Sequence, residues 1–284
     1  MNKKLIVVAM TAMLAASAVF AQGSSESSAK PAASTSTYTF GGSSTVAPIA
    51  NSAIPVFESL NPGKKISYET LGSSVGIKQL LAGTLSLAGS SRELKQSELD
   101  AGCVPTTIAL DGLSVAVNSS VAVSNLTMAQ LAGIFSGEIT NWKEVGGKDA
   151  KIQLIVRDET SGTYGSFKEI VIEAAGKEPT TDAIVAKENG EVATKIASTP
   201  NSIGYIGMAF GSIVTDAGGK ILTVNGIAPN TQNVIDKKYP ISRALYVVTM
   251  GKPVDGTVEK DFIDFLLSSK GQKIVAESDF IPLN

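Results

Sequence analysis

Apolar and polar positions alternate in short blocks from about Tyr38 onward. Residues 66–71, 85–88, 107–118, 152–156, 203–208 and 244–250 are brief runs rich in aliphatic and β-branched side chains, and they read as strands. Residues 76–81, 96–101, 164–175 and 258–267 carry helical spacing. Thr127-Met-Ala-Gln130 has the spacing of a capping box, and Leu131, Ile134 and Phe135 follow on one helical face. Strand-then-helix units in succession predict an α/β architecture with a mostly parallel sheet. No internal repeat stands out.

The first residues follow a different pattern. Lys3 and Lys4 precede an apolar or small stretch interrupted only by Thr11 and Ser17, and Val19 and Ala21 hold the small positions before a cut. Residues 1–21 therefore read as a secretory signal peptide rather than a membrane anchor, and the lack of a cysteine near the cut gives no support for a lipid anchor. Residues 22–37 are almost all Ser, Ala, Gly, Thr and Pro, a flexible linker with nothing to pack. The folded body begins near Tyr38.

Composition narrows the chemistry. With 43% hydrophobic residues in 284, the chain has enough apolar surface for a real core. Its formal charge of −2 gives no basic footprint, so no nucleic acid partner is expected. The chain has no histidine, which removes Ser-His-Asp and Cys-His catalysis and His-ligated metals. Cys103 is the single cysteine, so an internal disulfide and a Cys-rich zinc site are excluded.

Glycines and small hydroxyl residues recur where strands should hand over to helices. The corners are Gly42-Ser43-Ser44-Thr45, Gly72-Ser73-Ser74, Gly89-Ser90-Ser91-Arg92 and the run from Arg157 through Asp158, Glu159, Thr160, Ser161 and Gly162 to Thr163. Ligands of open α/β sheets bind beyond the carboxyl ends of strands, and helix N-termini favour anions. Each corner taken singly also suits an ordinary N-cap; together they suggest an oxyanion cage. Arg157, at the end of an apolar strand, offers a planar fork, and Ser161, Gly162 and Thr163 supply hydroxyls and a close backbone approach. Glu159 either holds that guanidinium or is a solvated loop carboxylate. Arg92 is the second candidate cation, or a surface arginine pairing with Glu93. Asp111, at the end of an apolar run, either accepts a ligand proton or fills a structural role.

Other motifs lead elsewhere. Gly72-Ser73-Ser74-Val75-Gly76 matches the nucleophile elbow of hydrolases, but the usual histidine base is missing. No nucleotide phosphate loop is present. Trp142 reads as a packing anchor rather than a sugar platform.

In order along the chain, several stretches resemble the PstS-type periplasmic phosphate-binding proteins of ABC transporters, in their shorter branch. They are Gly42-Ser43-Ser44-Thr45-Val46-Ala47-Pro48, Gly72-Ser73-Ser74-Val75-Gly76-Ile77-Lys78-Gln79, Gln130-Leu131 with the run from Ile134 to Trp142, Arg157 with Ser161-Gly162-Thr163, and Gly204-Tyr205-Ile206-Gly207. The resemblance implies a two-lobed periplasmic-binding-protein-like fold. Each lobe is a mostly parallel sheet flanked by helices, and two hinge crossings join them. Lobe 1 is expected over 38–116 and 243–284, and lobe 2 over 117–242.

By matched position, Ser44, Thr45, Ser73, Ser91 and Arg92 would bind phosphate from one lobe, and Arg157, Ser161, Gly162 and Thr163 from the other. Glu159 falls where the family often has an acid orienting the arginine. Well-known members carry an aspartate where this chain has Ser91, so Asp111 or the Ser91 hydroxyl would have to read the phosphate proton. The implied function is non-enzymatic: an extracytoplasmic protein, in the periplasm or at the outer face of the cell, captures inorganic phosphate and delivers it to the permease and ATPase of an ABC transporter. No cofactor or metal is implied, and the protein is expected to be a monomer. The alternatives are another oxyanion, sulfate or molybdate, and a secreted phosphate-ester hydrolase.

Overall fold

A computed structural model describes residues 36–283, so the signal peptide of 1–21 and most of the 22–37 linker lie outside the described residues. In chain order the elements begin with β1 (Ser36–Gly42), α1 (Ala47–Leu60), β2 (Lys64–Thr70), α2 (Ser73–Leu81), β3 (Leu87–Ser90), α3 (Gln96–Asp100) and the long β4 (Cys103–Val117). Then follow β5 (Asn125–Leu126), α4 (Met128–Ser136), β6 (Gln153–Arg157), α5 (Gly162–Phe167), β7 (Ile184–Ala186), α6 (Asn189–Ser198) and β8 (Ser202–Gly207). The chain ends with α7 (Gly211–Asp216), β9 (Lys220–Ile221), β10 (Thr223–Val224), α8 (Thr231–Ile235), β11 (Ser242–Met250), α9 (Val258–Leu267) and α10 (Ser269–Glu277).

The strand pairing shows how two halves are joined. β1 pairs in parallel with β2 and β3, and β6 pairs in parallel with β7 and β8. The antiparallel pairings of the main sheet belong to β4 and β11. β4 pairs with β11 as far as Gly112 and with β8 from Leu113, so one strand carries the chain from one half to the other. The return passes alongside: the Leu113 amide donates to the Ile241 carbonyl, and Ser242, the first residue of β11, sits opposite Gly112. The fold is two-lobed and α/β, with helices packed on the strands.

Each half buries its own aromatic centre. In the first, Phe262 lies 5.4 Å from Phe40 and edge-on to Phe57 at 5.3 Å. In the second, Phe167 stacks on Tyr205 at 3.8 Å with Phe135 against both. Phe262→Ala is expected to cost about 3–5 kcal/mol, the usual penalty for emptying a buried aromatic site, read from urea unfolding midpoints. Trp142 is buried and its Nε1 donates to the Asn201 carbonyl at 2.9 Å, so it anchors packing and offers no sugar platform.

Some elements differ from the sequence expectation. The helix expected over 164–175 begins at Gly162, because Ser161 caps it, and continues through a π-helical turn over Lys168–Ile172. β4 begins at Cys103 rather than Thr107, despite Pro105, because β11 pairs with it over that length. α1 was not expected: Pro48 opens it and Pro55 lies within it, yet it runs unbroken, and Ile49, Ala53, Ile54 and Phe57 bury one face.

Candidate functional site

Each glycine–hydroxyl corner is built by a local bond. The Ser43 hydroxyl accepts the amides of Thr45 (3.1 Å) and Val46 (3.3 Å), fixing the turn from β1 into α1. Ser161 does the same for Thr163 (3.1 Å) and Tyr164 (3.3 Å) at the start of α5, so its oxygen serves as an N-cap. The Ser73 hydroxyl, at the start of α2, accepts the Ser91 amide at 3.1 Å.

These corners, drawn from both halves, meet. Thr45 Oγ1 lies 3.1 Å from Thr163 Oγ1, and the Ser74 amide donates to the Thr160 carbonyl at 3.0 Å. Ser166 donates to the Ser91 carbonyl at 2.9 Å, and Arg157 Nη2 donates to Ser44 Oγ at 3.1 Å. Two glycines permit this approach. A Cβ on Gly162 would stand 2.2 Å from Ser73 Oγ and 2.5 Å from Ser91 Oγ. Gly72, at φ +86°, has room for no side chain either, since its Cβ would meet the Thr160 carbonyl at 2.8 Å.

Arg157 is 2% exposed. Its Nη2 also donates to the Lys187 carbonyl, but Nε and Nη1 are buried with no partner. Buried donors are nearly always paired, and leaving one unmade costs about 1–3 kcal/mol. Burial pushes the Arg157 pKa down to about 10, opposed by Asp158 and reinforced by a second cation, Arg243. Arg157 therefore stays charged at neutral pH.

Arg243 was not among the sequence candidates. It is buried, donates through Nε (3.0 Å) and Nη2 (2.8 Å) to Asp111 Oδ2, and reaches Thr163 Oγ1 (3.1 Å) and the Ser91 carbonyl (3.0 Å) through Nη1. Asn189 was missed as well: its Nδ2 donates to Thr45 Oγ1 at 3.0 Å. The signal for Arg243 was a lone cation opening an apolar strand run, a mirror of Arg157 closing one. Asn189 precedes Gly190 and reads only as a turn.

Three further expected residues have partners of their own or none. Arg92 does not pair with the Glu93 carboxylate. Its fork grips Glu98 at 2.7 and 2.9 Å, with one weak 3.4 Å bond to Ser74, because the start of α3 brings Glu98 back beneath it. Burial pulls the Glu98 carboxyl up, but the Arg92 fork and the Lys95 amide together hold it below the usual range. Glu159 is exposed, and among the described residues neither a hydrogen bond nor an ion pair joins it to Arg157, because the loop turns its side chain outward. Asp111 faces Arg243 and the Met208 amide (3.2 Å). Burial pushes its carboxyl up against the pull of Arg243.

The charges do not cancel. Arg92 is answered by Glu98 and Arg243 by Asp111, while Arg157 has no carboxylate within ion-pair distance among the described residues. The arrangement presents one uncompensated buried cation, two unpartnered guanidinium nitrogens and several hydroxyls at the junction of two halves. It is chemically suited to a small oxyanion.

Comparison with known proteins agrees with this geometry. Residues 27–270 match the family model described as a PBP superfamily domain. The phosphate-binding protein PstS of Borreliella burgdorferi is 41% identical over 85% of this chain and 88% of its own length. That of Bacillus subtilis is 32% identical over 99% of this chain and 94% of its own. A Clostridium perfringens protein assigned as a phosphate ABC transporter substrate-binding protein, solved with bound phosphate, superposes with a TM-score of 0.79 at 33% identity, over 88% of this chain and all of that one. The chain thus belongs to the PBP superfamily and, within it, to the PstS family of phosphate-binding proteins.

Proposed function

We propose that this chain is an extracytoplasmic solute-binding protein that captures inorganic phosphate between its two lobes and delivers it to a phosphate ABC transporter. The observation that carries the reading is Arg157: a buried cation with two unpartnered nitrogens, set where corners of both lobes converge. The relatives support the ligand, since their names and one bound structure concern phosphate. Ser44 touches Arg157, and we assign Ser44, Thr45, Ser73, Ser91 and Thr163 as the hydroxyl groups around the ion, with Gly162 bringing backbone close and Ser161 ordering that backbone. We leave Arg92, Glu159 and Asp111 outside direct contact: Arg92 orders the Ser91 corner, Asp111 holds Arg243, and Glu159 is a rim carboxylate.

Micromolar capture needs about −8 kcal/mol net. Hydrogen bonds to charged groups contribute about 1.5–3 kcal/mol each, so a handful suffices even after association costs. A ligand that touches both lobes favours the closed arrangement, and closure gives a transporter a shape to recognise. We place the lobe boundaries at Gly112–Leu113 and Ile241–Ser242, supported by the change of partner in β4. We assign the cluster to binding and no step of turnover to it, as a hydrolase reading lacks a histidine base.

Calorimetric titration of phosphate-stripped protein tests this directly, with one site of micromolar or tighter affinity as the expected result. Absence of phosphate binding, or tighter binding of sulfate or molybdate, would overturn the assignment. Two controls separate the site from its surroundings. Glu159→Gln is expected to keep affinity within about threefold of wild type. Arg92→Ala is expected to lower stability by about 1–3 kcal/mol, by stranding Glu98, with a smaller effect on binding. Thermal melts and titrations of both variants check these values.

A further inference from the structure

Arg243 has a place that phosphate capture by Arg157 does not require. It follows directly on the second crossing, opposite Asp111 in the β4–β11 register. Its Nη1 donates to Thr163 Oγ1 at 3.1 Å and its Nη2 to Thr45 Oγ1 at 3.4 Å. Thr45 Oγ1 also accepts from Asn189 Nδ2 at 3.0 Å. The Asn189 amide is oriented by its oxygen, which accepts the Gly207 amide at 3.3 Å. An arginine can only donate, and so can the amide nitrogen of Asn189. Thr45 Oγ1 thus has both lone pairs taken by donors and gives its hydrogen to Thr163 Oγ1, 3.1 Å away; that bond and Arg243 fill Thr163 Oγ1 in turn, whose own hydrogen remains to be given away.

We infer that Arg243 is a positioning residue that determines specificity: held by Asp111, it saturates the acceptor sites of the Thr45 and Thr163 hydroxyls, one from each lobe, and leaves Thr163 as the donor toward the ligand. This wall of the site then reads deprotonated oxygens. A ligand hydroxyl turned toward it meets a donor and leaves its own proton unpaired, so affinity rises as phosphate loses its second proton near neutrality. The inference rests on the phosphate reading. The groups facing Arg243 are Asp111 from β4 and the Arg157 cation from β6; burial, with Asp111 beside it, pushes the Tyr239 phenol far above the neutral range. Burial also raises the Asp111 carboxyl, so an Asp111→Asn variant separates its titration from that of the ligand.

The test is phosphate affinity from mildly acidic to mildly alkaline pH, for wild type and three variants. Arg243→Gln with Asp111→Asn removes one charge of each sign, so no buried ion is left alone and the net charge is unchanged. Arg243→Lys keeps the charge but cannot span Asp111 and both threonines. Asp111→Asn alone keeps the arginine fork and its donors. The double variant is expected to bind about tenfold more weakly, with its alkaline-to-acidic affinity ratio reduced about threefold or more. Arg243→Lys is expected to fall between it and wild type, and Asp111→Asn to keep the wild-type ratio. A folded double variant or Arg243→Lys protein with the wild-type ratio overturns the inference, even if overall affinity drops. Wild-type protein that binds no phosphate at any pH instead overturns the phosphate reading, and this inference with it.

Discussion

Arg157→Ala is expected to weaken phosphate binding about a hundredfold or more while leaving the unliganded fold nearly as stable as before. The two effects part because of how Arg157 is held. Its Nε and Nη1 are buried without partners, and only Nη2 is engaged, by Ser44 and the Lys187 carbonyl. In the proposed complex each of those two nitrogens makes a charge-assisted bond of about 1.5–3 kcal/mol, and losing both corresponds to more than two decades of affinity. Without ligand, the same groups are a burden on the fold, so their removal offsets much of the packing lost. Calorimetric titration and thermal unfolding with and without phosphate read both quantities. Affinity equal to wild type would take Arg157 out of the site.

Gly162→Ala is the second large effect, expected to lower affinity about a hundredfold through sterics alone. The added methyl would stand 2.2 Å from Ser73 Oγ and 2.5 Å from Ser91 Oγ, closer than real carbon–oxygen contacts. The two halves must move apart to accept it. The Ser73 hydroxyl is tied to the Ser91 amide, and the Ser73 Cβ itself would stand 2.9 Å from the added methyl, so rotating a hydroxyl does not clear the space. The cores of the two halves do not touch this point, and chemical unfolding should change little. Small-angle scattering is expected to show a more open molecule that phosphate no longer closes. A compact variant with wild-type affinity would contradict the close packing of these corners.

What the chain disclosed in advance was local. Ser161 announces a cap, Gly162 a close approach, and Arg157 a cation at the end of an apolar strand; each can be read from a few neighbouring residues. What remained hidden was made by topology. Arg243 and Asp111 are 132 residues apart, and only the antiparallel register of β4 and β11 sets them opposite one another. Asn189 reaches Thr45 across 144 residues. Sequence proximity also misled: Glu159 and Glu93 lie beside the two arginines in the chain, yet the loop turns Glu159 outward and the start of α3 brings Glu98 to Arg92. α1 was hidden for another reason, since Pro55 argues against a helix that tertiary packing of Ile49, Ala53 and Phe57 sustains.

The central claim is that Arg157 and the corners of both lobes grip one phosphate ion together. A crystal structure of the chain grown with phosphate tests it most directly. A single ion is expected between the lobes, with Arg157 Nε and Nη1 on its oxygens and hydroxyls of both lobes, Ser44 from one and Thr163 from the other, bonded to it. An ion held by one lobe alone, or one that leaves both of those nitrogens untouched, would contradict the account.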